Sequence, residues 1–270
     1  MNAPLRYDRR LLFGFQLDPL TLDDVLRRCS TAIQTRERLL IGVLNAAKIV
    51  KARRDDLLRN SLLDCDVLLA DGQSVVWASK LVKRPLPERV AGIDLFEQLL
   101  ALADQQQRSI YLLGAKPEVL EKLREVVAQR YPGARLAGSH HGYFADADSE
   151  RIAQDIAQSG ADMLFIGMTS PRKEIFLAKY GPSLNVPVLH GVGGSFDIMA
   201  GQTKRAPVAW QRAGMEWAYR VVQEPRRMWW RYFSTNTSFI LLTLAELLRP
   251  AHPFEVPRIP ASASSGIRHI

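Results

Sequence analysis

Val67-Leu68-Leu69-Ala70-Asp71-Gly72 is a short run, apolar at four consecutive positions, that ends in a carboxylate and a glycine. A run without polar alternation reads as a strand covered on both faces, as in a parallel sheet, and the residues at its end mark the turn into a helix. Working outward, the same pattern recurs at 39–44 before Asn45, 110–113 before Gly114, 135–137 before Gly138, 163–166 before Gly167 and 186–190 before Gly191. Segments of helical period lie between these runs, which is the alternation of β-α units around a parallel sheet. Thr21-x-x-Asp24 opens the first helix with capping-box spacing. The expected fold class is α/β, a layered parallel sheet flanked by helices, with ligands gathering at the carboxyl ends of the strands.

A chain of 270 residues with 47% hydrophobic content can bury a full core, and it fits one α/β domain with an appendage. The net charge of +8 and the pI near 9.7 suit an anionic partner: a phosphate ligand, a nucleic acid or an acidic membrane surface. Charge alone does not choose among them. Cys29 and Cys65 are too few for a disulfide framework or a zinc cluster, so both read as buried thiols in a reducing compartment. Arg6, Arg9 and Arg10 lead into no apolar core with a cleavage site, so no secretory signal is expected. The stretch 239–248 is interrupted by Thr243 and Glu246 and is about half the roughly 20 residues of a spanning helix. It could lie on a membrane but not cross one.

After Arg205 the composition changes. Residues 201–250 hold eight cations against three glutamates, and Trp210, Trp217, Trp229 and Trp230 fall in the same stretch. The expected organisation is a catalytic core over 1–205, a basic, Trp-rich helical appendage over 206–250 and a flexible tail over 251–270, where Pro, Ser and Ala lack periodicity. Such an appendage suits a lipid surface, with Arg227 on headgroup phosphates and Trp229 and Trp230 at the interface. The alternative is a helical hairpin packed on the core.

Several strand ends carry candidate chemistry. Asp71 is poised over the ligand crevice, where a carboxylate can act as general base on a sugar hydroxyl or can cap the following helix. Asn45 can bind a sugar, orient Asp71 or cap its own helix. In His190-Gly191-Val192-Gly193-Gly194-Ser195-Phe196-Asp197 the glycines Gly191, Gly193 and Gly194 permit close approach of backbone N–H groups to a phosphate, and Asp197 can receive a ribose or base donor. Neither a dinucleotide fingerprint nor a P-loop is present. Ser170 and Pro171 suggest an N-cap and first helical position, followed by Lys173 and Glu174, which either touch the donor or pair with each other at the surface. Arg89 can reach a phosphate. Asp64-x-Asp66 precedes its strand, Asp146-x-Asp148 lies in a polar loop, and His140-His141 lacks ligand spacing, so no metal site is expected.

Taken in order, these motifs resemble the WecG/TagA/CpsF family of bacterial glycosyltransferases. The resemblance is carried by Leu44-Asn45, Ala70-Asp71-Gly72, Arg89-Val90-Ala91-Gly92-Ile93-Asp94-Leu95, Tyr111-Leu112-Leu113-Gly114, His141-Gly142-Tyr143-Phe144, the segments 167–174 and 191–201, Arg205-Ala206-Pro207, Glu216-Trp217, Tyr219-Arg220, and 224–232. It implies a Rossmann-like core and an inverting, metal-independent transfer of a hexose or N-acetylhexosamine from a UDP-sugar to a polyprenyl-diphosphate-linked sugar, without a cofactor, in exopolysaccharide or cell-envelope polysaccharide synthesis. Asp71 would be the base, and Arg205, Arg220, Arg226 and Arg231 would offset charge on the leaving diphosphate. The site would work at the inner face of the plasma membrane, with no nucleic-acid partner and with a homo-oligomer left open. Three positions depart from the family pattern: Arg172-Lys173 replaces a common Lys-Gln pair, and Val43 stands where Thr is common. The donor sugar leans towards a plain hexose such as glucose. Two other classes compete: a nucleotide-binding oxidoreductase or hydrolase on the same sheet, and a non-enzymatic basic nucleotide- or nucleic-acid-binding α/β protein.

Overall fold

The structure is a computed structural model that describes residues 8–212, 214–223, 225–249 and 251–255. Its centre is a six-stranded, wholly parallel sheet of β3 (Leu39–Leu44), β4 (Val67–Ala70), β5 (Ser109–Gly114), β6 (Arg135–His140), β7 (Met163–Gly167) and β8 (Val188–Gly191), in the order β4-β3-β8-β7-β5-β6. All six strands fall where the apolar runs place them, with ends shifted by up to three residues. Buried residues from both sheet faces form two core layers, one around Phe96, Phe165 and Phe196, the other around Leu113, Ile166 and Phe176. Such double-sided cover is what makes parallel strands uniformly apolar. This is a Rossmann-like α/β fold.

The helices α1 (Leu22–Thr35), α2 (Ala46–Ala52), α3 (Asp56–Leu63), α4 (Gln73–Leu81), α5 (Gly92–Gln105), α6 (Pro117–Arg130), α7 (Ser149–Gln158), α8 (Arg172–Tyr180) and α9 (Ser195–Met199) connect the strands. At α1 the capping box is complete, with the Thr21 hydroxyl accepting from Asp24 N and the Asp24 carboxylate accepting from Thr21 N. At α8 the expected start shifts by one residue: Pro171 is the N-cap and Arg172 the first helical residue. The Ser170 hydroxyl is directed instead to Glu174 Oε1 at 2.8 Å.

Ahead of the sheet lies an antiparallel hairpin, β1 (Arg10–Leu12) and β2 (Phe15–Leu17), tied to β4 by the Asp18 carboxylate, which accepts from Leu68 N at 2.7 Å. The sequence signals for this hairpin are weak. Its apolar face, Leu12, Phe13, Phe15 and Leu17, joins a third core layer completed by Phe239.

After residue 205 come α10 (Val208–Arg212), α11 (Glu216–Gln223) and α12 (Pro225–Leu248). The last half of α12 packs on the core: Phe239, Thr243 and Glu246 are buried, and the Phe239 ring packs tilted against Phe13 at 5.2 Å between centroids. Its other face leaves Ile240, Leu241, Leu244, Leu247 and Leu248 exposed. Residues 251–255, expected as the start of a loose tail, return to the hairpin, where Phe254 N donates to Gly14 O at 2.8 Å and its ring meets Phe15 edge-on at 5.0 Å. Among the described residues no helix is long and apolar enough to cross a membrane.

Candidate active site

Parallel strands bring every turn that follows them to one edge of the sheet. Asp71 follows β4 and Gly191 ends β8, and only β3 separates those strands. At strand spacings of about 4.8 Å, the carboxylate and the glycine-rich turn are roughly 10 Å apart along the sheet edge. Asn45 follows β3, between them.

The half-buried Asp71 carboxylate has a donor on each oxygen. Gly92 N, the first N–H of α5, donates to Oδ1 at 3.0 Å, and the Asn45 side-chain amide donates to Oδ2 at 3.1 Å. Each carboxylate oxygen accepts two bonds, so both retain a lone pair for a further donor. Asp71 does not cap α4, whose N-cap is Gly72 without a side-chain bond. Gly72 has ordinary extended backbone, φ −98° and ψ 132°, so no left-handed turn calls for glycine there. The close neighbour is Asn45, whose Cβ would stand 3.3 Å from a Cβ added at Gly72. Asn45 also caps α2, its Oδ1 accepting from Lys48 N at 3.1 Å.

A second cluster lies beside this pair. Glu174 is buried, and its Oε1 accepts from Ser170 Oγ and pairs with Lys173 Nζ at 2.7 Å, while Oε2 has no partner among the described residues. Lys173 crosses Gly191, where an added Cβ would meet Lys173 Cδ at 2.7 Å. Burial pushes the Glu174 carboxyl up, but Lys173 and Ser170 outweigh it and hold the group below the usual carboxylate range. The Lys173–Glu174 pairing foreseen in the sequence is therefore present, but buried rather than at the surface. Lys48, which drew no notice in the sequence, donates from Nζ to Val43 O at 2.6 Å. Burial lowers its ammonium, Lys173 adds to that, and Asp71 and Glu174 oppose it. The i to i+3 spacing from Asn45 was the available signal.

Arg89 and Arg205 form a four-membered ion network with Asp94 of α5 and Glu216 of α11. Arg89 reaches Glu216 Oε2 at 3.0 Å and Asp94 Oδ2 at 3.6 Å, and Arg205 pairs with Asp94 Oδ1 and with Glu216 Oε1 at 3.4 Å. It fastens the start of α11 to the core beside Asp71. Gly214 packs there as well, an added Cβ standing 2.6 Å from Gln73 Cβ of α4.

Gly193 and Gly194 are exposed in the turn, Gly193 at φ +55°, and Asp197 is half-buried in α9. The backbones of Arg220, Arg226, Arg227, Trp229, Trp230 and Arg231 lie in α11 and α12, and their side chains fall outside the described residues. Arg172 stacks over Phe144 at 4.3 Å and donates to its carbonyl, which ties α8 to the His141-Gly142-Tyr143-Phe144 loop. Asp64 and Asp66 sit at the amino edge of the sheet, paired with Arg38, and Asp146–Asp148 forms a short 3-10 turn. His140 and His141 bond locally, through the His141 carbonyl and Tyr143 N. Cys29 is fully buried and Cys65 partly so, and burial pushes both thiols up to about 12.

The profile described as glycosyl transferase WecG/TagA/CpsF family matches residues 10–253. A relative from Bacillus spizizenii (strain ATCC 23059 / NRRL B-14472 / W23), the N-acetylglucosaminyldiphosphoundecaprenol N-acetyl-beta-D-mannosaminyltransferase, is 37% identical over 192 residues, covering 71% of this chain and 73% of its own length. With a match that runs from the first strand of the hairpin to residue 253, beyond α12, the chain belongs to the WecG/TagA/CpsF family and is a glycosyltransferase.

Proposed function

We propose that the enzyme transfers a hexose or N-acetylhexosamine, with inversion, from a UDP-sugar to a hydroxyl of a polyprenyl-diphosphate-linked sugar. Asp71 takes the proton of that hydroxyl, whose oxygen forms the new bond to the anomeric carbon from the side opposite UDP. The bond from that carbon to the diphosphate breaks, and its electron pair leaves with UDP. The observation that carries the reading is the Asp71 carboxylate, fixed by Gly92 N and Asn45 with lone pairs to spare at the carboxyl edge of the sheet. The name of the Bacillus relative, which specifies a diphosphoundecaprenol-linked acceptor, supports the acceptor class.

Lys173, Glu174, Asp197 and the turn at Gly191, Gly193 and Gly194 would hold the donor. Arg220, Arg226 and Arg231 of the appendage would offset charge on the diphosphate without a metal ion, while Arg89 and Arg205, whose charges Asp94 and Glu216 already balance, would hold the joint beside them. Residues 206–250 then act as an appendage that closes the site at the cytoplasmic face of the membrane, with Arg227, Trp229 and Trp230 at the lipid. The exposed apolar face of α12 supports this docking, as does the cleft of about 990 Å³ beside it, whose walls include Lys51, Arg53, Arg54, Leu241 and Leu242. Product use in exopolysaccharide or cell-envelope polysaccharide synthesis completes the reading.

A panel of UDP-sugars, including UDP-glucose and UDP-N-acetylmannosamine, assayed with a synthetic lipid-diphosphate sugar in EDTA tests it. Transfer from at least one donor is expected. No transfer from any of them, or transfer only when a divalent ion is restored, overturns the proposal.

A further inference from the structure

The group that holds Asp71 is itself held from behind. Gly92 gives its N–H to Asp71 Oδ1, and its carbonyl oxygen lies 3.2 Å from Nε2 of His190. His190 is fully buried in β8, and its Nδ1 lies 3.4 Å from the Ile41 carbonyl of neighbouring β3. A neutral imidazole has one N–H and can serve only one of these carbonyls, and the shorter contact is to Gly92. Burial lowers the ring to about 4, so near neutral pH it carries that single proton. The other residues of β8 before its terminal glycine, Val188 and Leu189, are aliphatic and fully buried. Packing alone would be served by a third aliphatic, whereas an imidazole provides a directed donor.

We infer that His190 is a positioning residue whose Nε2–H fixes Gly92 at the start of α5, and through Gly92 N sets the angle at which the Asp71 carboxylate meets the acceptor hydroxyl. This rests on the reading of Asp71 as base. His190 touches no substrate; it acts across one residue, from β8 to the end of β4.

The test is steady-state kinetics of the full chain carrying His190→Leu or His190→Gln, each alone and combined with Asp71→Asn. His190→Leu should lower kcat by about 10- to 100-fold while KM for the UDP-sugar stays within about threefold, because misplacement of a reacting group costs rate rather than binding. His190→Gln, which keeps an N–H donor, should recover most of the loss. In the Asp71→Asn background the Leu substitution should lower the residual rate no further, since the two act as one unit. Unchanged kcat in His190→Leu, or additive losses in the double variant, overturns the inference. If His190→Leu does not fold, 15N NMR of the wild-type imidazole decides: a neutral ring protonated at Nε2 is expected, and protonation at Nδ1 overturns the proposal. Near-normal turnover in Asp71→Asn would remove the base reading while leaving the Nε2–H signature intact, so the two failures are distinguishable.

Discussion

Asn45 joins two elements at once: its amide nitrogen donates to Asp71 Oδ2 at 3.1 Å, and its amide oxygen accepts from Lys48 N at 3.1 Å as the cap of α2. Substitution can separate these roles. Asn45→Ala should lose about 1 kcal/mol from the cap and about tenfold in kcat. Asn45→Ser keeps a capping oxygen but lacks the reach to Asp71, so it should melt close to wild type with the same loss of rate. Thermal melts read beside kinetics check this, and a fully active Ser variant would show that the amide does nothing for Asp71.

Asp71→Asn keeps size and shape but removes the anion. Transfer should fall by about 10²- to 10⁴-fold, with UDP affinity by calorimetry changed less than about threefold. Near-normal turnover would rule the carboxylate out as base.

The network of Arg89, Asp94, Arg205 and Glu216 balances two guanidinium groups against two carboxylates at the joint between core and appendage. Glu216→Ala leaves two partly buried cations sharing one anion. Stability should fall by about 1–3 kcal/mol, and proteolytic cleavage after residue 205 should accelerate. High salt should reproduce part of this, since the screening length drops to about 3 Å at 1 M.

Phe239 is 5% exposed and packs against Phe13, so Phe239→Ala opens a cavity between α12 and the hairpin. A loss of about 3–5 kcal/mol is expected from the urea midpoint. Truncation at 206 would uncover the same face, so it should expose apolar surface to a dye such as ANS rather than leave an intact core. A truncated chain that binds no dye and keeps the full-length midpoint would show that the hairpin does not depend on α12.

His190 gives acid a way into the core. Its folded-state value near 4 lies below the ordinary imidazole value of 6.5, so between those pH values the unfolded chain binds a proton that the folded chain does not. Stability is therefore full above about pH 6.5 and declines as pH falls, by about 3 kcal/mol at pH 4 from this group alone. His190→Gln should flatten that part of the profile of denaturant midpoint against pH; an unaltered slope would place the acid sensitivity elsewhere.

The sheet strands were legible because burial on both faces leaves β3, β4 and β7 without a polar side chain, and the turn residues Asn45, Asp71 and Gly191 mark the ends of three strands; β6, at the sheet edge with Arg135 exposed, shows the pattern least. The hairpin was not, because its turn residues are Phe13 at φ 55° and Gly14 at φ 88°. A turn with both central residues at positive φ usually announces itself as Asn-Gly or Asp-Gly, and a buried phenylalanine in the first position hides it within an apolar run. For the site, Asp71 and Asn45 could be named because each follows its own strand. The ion network could not, since Arg89 and Glu216 are 127 residues apart and only the docking of α11 brings them together. Lys48 was hidden for another reason: a lysine inside a helix reads as solvent-facing until the fold places Val43 O in reach of its ammonium.

Phe254 closes over Gly14, 240 positions earlier in the chain, and its ring stands edge-on to Phe15. Ribosomal synthesis proceeds from the amino terminus at about 5–20 residues per second, so the hairpin waits roughly 12–48 s for the segment that covers it. Throughout that interval the nascent polypeptide carries an aromatic surface with no lid. Chaperone capture during translation should therefore favour the β1–β2 hairpin, and should end only when Phe254 leaves the exit tunnel.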